Sequence, residues 1–313
     1  MPEEPEKEII DIEDQNKIHT AAGERLNGLY SGFHALSLDY SYHIQNTWGG
    51  HKIDELRDNV LYRLFSSLFH CELLLREHNQ IEKRLSQILA NNPDKILAWV
   101  YPKNRHYEYA ERQVSSIFDS IVFHAASIFD YMSILITFIS LKDRDQTPMW
   151  GQTTRSARDR NNELHQKPVA KAIDRVDKDF VTRLYNHRSE LIHRRADIVE
   201  HGFLIKPSTG KFTVRFLCSP KIRKTFKTFG EADKDYTLAY FSYWIVNTAS
   251  GIIADLLLDL KADIVSNPPL SRHDLEKDGT RPILLGLQPG TNRAISPSAT
   301  AWSNFQKYFP SQS

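Results

Sequence analysis

The chain has 313 residues, 41% of them apolar and 25% charged, which is enough apolar material for a real core and excludes wholesale disorder. Its two cysteines, Cys71 and Cys218, belong to no paired spacing such as C-x-x-C, so no cysteine metal site is expected and a reducing, cytoplasmic setting is the simpler expectation. The net charge is +1 but unevenly placed. The first twenty residues carry seven acids against two lysines, whereas Lys142 to Lys227 carries twenty Lys/Arg against ten Asp/Glu, an asymmetry that permits a phosphate-binding face beside an acidic arm.

Met1 to Asp14 is acidic and has no apolar h-region, so no ordinary secretory signal is expected. Residues 15 to 50 mix small, aromatic and His residues without a sustained period and end in Trp48-Gly49-Gly50, which reads as an irregular arm. From Ile53 to Ala90, Leu56, Val60, Leu64 and Leu68 recur at helical spacing, closed by Asn91-Asn92-Pro93. Residues 105 to 141 form the longest helical pattern, apolar on more than one side and so expected at the centre of a bundle. Asp119, His124 and Asp130 interrupt it and would be costly in lipid, so no membrane span is expected there. His124 reads as a hydrogen-bonded core histidine, and Asp130 as either solvated or holding a polar partner such as Arg188.

The polar, basic stretch from Lys142 to Pro168 reads as a surface link, and Val169 to Arg195 as a helix. Val199 to Ile205 and Phe212 to Leu217 alternate around Pro207-Ser-Thr-Gly210 and predict a β-hairpin. The Ser-Thr-Gly-Lys there lacks the first glycine and the final Ser/Thr of a phosphate loop. Asp235 to Val265 predicts another helix, with Asp255, Asp259 and Asp263 on a solvated edge. Six of the fourteen prolines fall after Ser266, which predicts an extended tail, draped over the bundle through Trp302 or partly disordered. The domain reading is therefore an acidic and aromatic arm over 1–50, a helical domain over 51–265 and a Pro-rich tail over 266–313.

The segment that carries chemistry is Phe180 to Ala196, FVTRLYNHRSELIHRRA, with Arg188-Ser-Glu-Leu-Ile-His193 at its centre. Extrapolated at about 100° per residue, Arg188 falls close to the apolar stripe of Phe180, Leu184, Leu191 and Ile192, while His193 lies well round from it. Both would then meet one cleft only at the rim of a packed face, most easily where two helices or two subunits meet. Arg160-Asn-Asn-Glu-Leu-His165 is a rival with the same spacing, but it lies in a connection that stops at Pro168 and has little apolar stripe to fix it.

An arginine followed after four to six residues by a histidine, late in a helical bundle, resembles the signature of the HEPN superfamily. Ser189 fills the place after the arginine where that family more often has asparagine, and the resemblance spans Arg105 to Val265 by pattern. It implies a mainly α fold, a helical bundle of HEPN type, here with one small β-hairpin inserted after the motif helix. It also implies a metal-independent RNA endonuclease without cofactor, with Arg188 and His193 catalytic and Ser189, Asn186, His187, Arg194 and Asp130 in support. The partners implied are RNA, a second copy of the chain in a homodimer, and an antitoxin or other regulatory protein, in a toxin, defence or RNA-processing setting. The alternative is a non-catalytic module in which the same residues bind RNA, a nucleotide or a protein. Cations such as Arg194 and Arg195 also suit a helix C-terminus with no catalysis at all.

Overall fold

A computed structural model describes residues 8–44, 52–91, 105–142, 146–193, 201–206, 211–231, 233–270 and 298–310. The described chain is mostly helical. In order, its helices are α1 (Gln15–His43), α2 (Lys52–Asn91), α3 (Arg105–Ser140), α4 (Trp150–Arg158), α5 (Val169–Val176), α6 (Thr182–His193), α7 (Pro220–Thr225), α8 (Leu238–Val265) and α9 (Ala299–Tyr308). Short strands β1 (Ile9–Ile10) and β4 (Asp235–Tyr236) pair in parallel, and β2 (His201–Lys206) pairs antiparallel with β3 (Lys211–Phe216), His201 opposite Phe216 and Lys206 opposite Lys211. The chain divides into two compact units, one of Met1–Thr20, Ser66–Ala125 and Thr182–Asn247, the other of Ala21–Phe65, Ala126–Val181 and Thr248–Ser313.

The first unit is centred on aromatic rings. Phe229 lies 4.6 Å from Phe241 and 5.0 Å from Trp244, and Phe226 packs edge-on to Phe241 at 5.2 Å. Burial of such rings is the largest apolar contribution a small core has. The ends of α7 and α8 are fixed locally. Ser219 Oγ accepts the Ile222 N–H, and Thr237 Oγ1 accepts the Tyr240 N–H while donating to Asp11 Oδ1 at 2.8 Å, which ties the strand pair to the helix start.

In the second unit α1 buries Leu29, Phe33, Leu36 and Tyr40, together with Gly28 and Gly32. A Cβ added to Gly32 would meet Phe305 of α9 at 2.6 Å, and one added to Gly28 would meet Tyr308 at 2.8 Å, so these glycines mark a close helix approach. Asp39, 3% exposed, accepts the Trp302 Nε1–H at 2.7 Å and the Ser298 hydroxyl. Trp150 is buried and donates its indole N–H to Asp177 at 2.8 Å, and Arg158 donates to the same carboxylate at 2.7 Å.

Several expectations give way here. Residues 15–43 are a helix, not an irregular arm: α1 is buried on several sides, so no single stripe shows in its sequence, and its interior glycines serve packing where a pattern reading scores them as breakers. The expected helix over 169–195 is interrupted by a π turn at Asp177–Val181, which shifts the phase of α6 relative to α5. The link over 142–168 contains α4 and a 3₁₀ turn at Glu163–Gln166, and the Pro-rich tail contains α9; residues 271–297 of that tail lie outside the described residues. Of the three aspartates on α8, Asp255 is exposed, but Asp263 is buried and lies 3.9 Å from Lys167. Glu111–Ser140 and Leu238–Val265 are long and apolar enough to cross a membrane by length and composition, with 67% and 61% of their apolar windows buried within the fold.

Candidate functional site

The site is built on α6. Leu184 is buried, His187 comes three positions later and is 1% exposed, and half-buried Leu191 comes four after that, so this row is the inward stripe. His187 sits edge-on to Phe118 at 6.0 Å and to Phe226 at 5.9 Å, within the aromatic core of its unit. Asn186 and Ser189 are exposed, and Glu190 pairs with Lys221 at 2.8 Å. Arg188, one position past His187 and so about 100° round, falls at the edge of the packed face. Its guanidinium lies over the ring of Phe123 with its carbon 4.7 Å from the centroid, and its Nε is buried with no hydrogen-bond partner among the described residues. A guanidinium stacked on an aromatic face keeps its in-plane N–H groups for an acceptor arriving from the side.

Phe123 is 41% exposed and continues into a row of rings. It meets His124 edge-on at 5.7 Å, His124 faces His70 of α2 at 5.3 Å and 34°, and His70 meets Phe69, itself 43% exposed, at 5.7 Å. The two histidines meet because Ser67 Oγ donates to the Ile121 carbonyl at 3.4 Å, and each histidine lies three residues further along its own helix, on the same face. His70 Nδ1 lies 2.7 Å from the Ser66 carbonyl, which only accepts, so Nδ1 carries the proton and Nε2 of the neutral ring is the acceptor. Asp119, four residues before Phe123 and so on its face, has its carboxyl pushed up to about 6 by burial. The group therefore combines a cation, two imidazoles and two exposed phenyl rings.

No family model, curated protein or solved structure matches the chain. The site therefore rests on its own geometry.

Of the residues expected from sequence, Arg188, Ser189, Asn186 and His187 lie on α6, but only Arg188 reaches the ring row; His187 is in the core. His193 is the last residue of α6, and its side chain lies outside the described residues, as do Arg194 and Arg195 altogether. Asp130 falls in the second unit and accepts the Trp150 backbone N–H at 3.2 Å. In the rival hexapeptide Arg160 is exposed, while His165 Nδ1 donates to the Ala157 carbonyl at 2.8 Å, tying the 3₁₀ turn to the end of α4. Among the described residues no group of three or more His, Cys, Asp or Glu side chains is placed to hold a metal ion.

The sequence reading took His124 for a hydrogen-bonded core histidine and gave Phe123 and His70 no part in the site. A signal was present, however: the dipeptide Phe-His occurs at 33–34, 69–70 and 123–124, each within a long helix. Two neighbouring rings about 100° apart cannot both fill one buried stripe, so one of each pair must turn toward solvent or a partner ring.

Proposed function

We propose that the chain is a metal-independent RNA endonuclease of HEPN type that works on one strand of RNA. The observation that carries this reading is Arg188, stacked on half-exposed Phe123 with a hydrogen-bonding Nε left unmatched and the facing His124 and His70 rings alongside. Arg188 stabilises the charge that accumulates on the phosphate in the transition state, and the exposed Phe123 and Phe69 offer faces on which bases stack. His193, on the same helix, takes the proton of the ribose 2′-hydroxyl as its oxygen attacks the adjacent phosphorus. His124, backed by His70, gives a proton to the 5′-oxygen as the P–O5′ bond breaks. The products are a 2′,3′-cyclic phosphate and a free 5′-hydroxyl.

The protein acts in the cytoplasm as a two-fold homodimer, under a regulatory or antitoxin-like partner. The second reading, an RNA-binding module without cleavage, is favoured by the same two exposed phenyl rings, which suit base stacking whether or not a proton moves. Incubation of purified protein with single-stranded RNA and DNA of one sequence separates the two. Cleavage of RNA alone, with cyclic-phosphate ends that Arg188→Ala suppresses, supports the nuclease; retention of RNA without any cleavage supports the binding module and overturns the nuclease.

A further inference from the structure

The second unit holds a cavity of about 640 Å³, within the range of about 300–1,000 Å³ typical of small-molecule sites. It lies between α1, α8 and the end of α9, with Leu258, Tyr308 and Phe309 giving it an apolar side. Two charged groups face it without a hydrogen-bonded counter-ion. Arg25 lies over the Phe309 ring, its guanidinium carbon 4.7 Å from the centroid, and its Nε is buried with no hydrogen-bond partner among the described residues. Asp259 lines the same cavity and has no hydrogen bond or ion pair among the described residues, whereas its neighbour Asp255 lies 3.6 Å from Arg175. Gly251 leaves the room for this: a Cβ there would meet Arg25 Nη2 at 3.4 Å.

Burial lowers the Arg25 proton affinity and raises that of Asp259, the latter helped by Asp255 and partly offset by Arg175, so each group is held against its preferred charge. An opposite charge brought by a ligand relieves both. Gly251, Asp255 and Asp259 succeed each other by one helical turn, and at about 1.5 Å rise per residue Asp259 lies roughly 12 Å along the helix from the glycine beside Arg25. The ligand must therefore carry its two charges at opposite ends of an apolar stem.

We propose that this cavity binds a small ω-amino carboxylate, such as a basic amino acid, its carboxylate on Arg25, its distal ammonium on Asp259 and its methylene stem along Leu258 and Tyr308. Charge-assisted, in-plane pairing of a carboxylate with a guanidinium whose face is already covered is the strongest polar contact such a site offers.

Titration calorimetry on the full chain with L-lysine, 6-aminohexanoate, hexanoate, hexylamine and inorganic phosphate tests this. Lysine and 6-aminohexanoate are expected to bind at least about tenfold more tightly than either single-charge analogue, with Arg25→Met and Asp259→Asn each removing about tenfold or more of that affinity. Circular dichroism melts show that each variant is folded, and Gly251→Leu, which fills the cavity from its wall, is expected to abolish binding. Equal binding of hexanoate or phosphate that Asp259→Asn leaves unchanged would make this a plain anion site and overturn the proposal, as would no heat with any of the five on folded protein.

Discussion

The rings of His70 and His124 face each other at 5.3 Å and 34°, on two helices locked in register by the hydrogen bond from Ser67 to the Ile121 carbonyl. The contact holds the two imidazoles side by side next to Phe123, over which Arg188 is stacked. Each neutral imidazole carries one N–H donor and one ring-nitrogen acceptor, which is what acid–base catalysis asks for.

His124→Ala is therefore expected to lower single-turnover RNA cleavage by roughly 10²–10⁴-fold, the usual contribution of a positioned general acid. His70→Ala, one ring further from the phosphate, is expected to lower the rate by less than His124→Ala does. A His124→Ala variant that cleaves at the wild-type rate would leave His193 to act alone.

Asp119 gives a stability signature that needs no substrate. Its carboxyl is pushed up to about 6 from an ordinary 3.8 by burial, so the folded state holds the proton more tightly than the unfolded chain does. Its contribution is full below about pH 4 and is lost as the pH rises through about 6. With Asp119 only part-buried, the screened effect is held to at most about 1 kcal/mol. Urea unfolding of wild type and Asp119→Asn at pH 4 through 7 is expected to converge at the acid end and to favour the variant at pH 7; an unchanged difference across that range would deny the shift.

Gly32→Ala and Gly23→Ala, both on α1, should move stability in opposite directions. At position 32 the new Cβ would lie 2.6 Å from Phe305, an overpacking that costs roughly 1–3 kcal/mol and exceeds the gain in helix propensity. At position 23 nothing lies within 4 Å, so only the propensity gain of about 0.5–1 kcal/mol is left. Thermal melts of the two variants decide the matter; a Gly32→Ala protein more stable than wild type would place α9 elsewhere.

Asp39→Ala leaves the buried Trp302 indole N–H and Ser298 hydroxyl without their acceptor, and is expected to destabilise the chain by roughly 2–4 kcal/mol. Asp39→Asn keeps one carbonyl acceptor and should cost about half as much. Tryptophan fluorescence during urea unfolding reads both, and equal midpoints for all three proteins would argue against the carboxyl as the anchor.

Periodicity sets how much of this fold was legible in the sequence. α2, α3 and α8 carry apolar residues at helical spacing and emerge close to where the pattern puts them, because each has a polar side that defines the stripe or is apolar nearly all round. α1 has neither mark, since its buried set includes Gly28, Gly32, Ser37, Asp39 and Ser41, residue types that score as turn or surface. Arg188 was found because its spacing to His193 lies within one helix. Its stacking partner Phe123 is sixty-five positions away, and no local pattern links two helices across that distance. The π turn had no signal that a 3.6-residue extrapolation could register, and it set which face of α6 turned inward.

The anchoring of α9 also bears on the order in which the chain is made. Asp39 and its two donors are separated by 259 and 263 positions, so a growing chain presents the groove of Gly28 and Gly32 to the ribosome surface long before Ser298 to Phe309 emerge to fill it. Contacts of such sequence separation form late and slowly. Throughout that interval the exposed groove is the part of the nascent chain a chaperone would occupy, and the emergence of Ser298 to Phe309 is the event that displaces it.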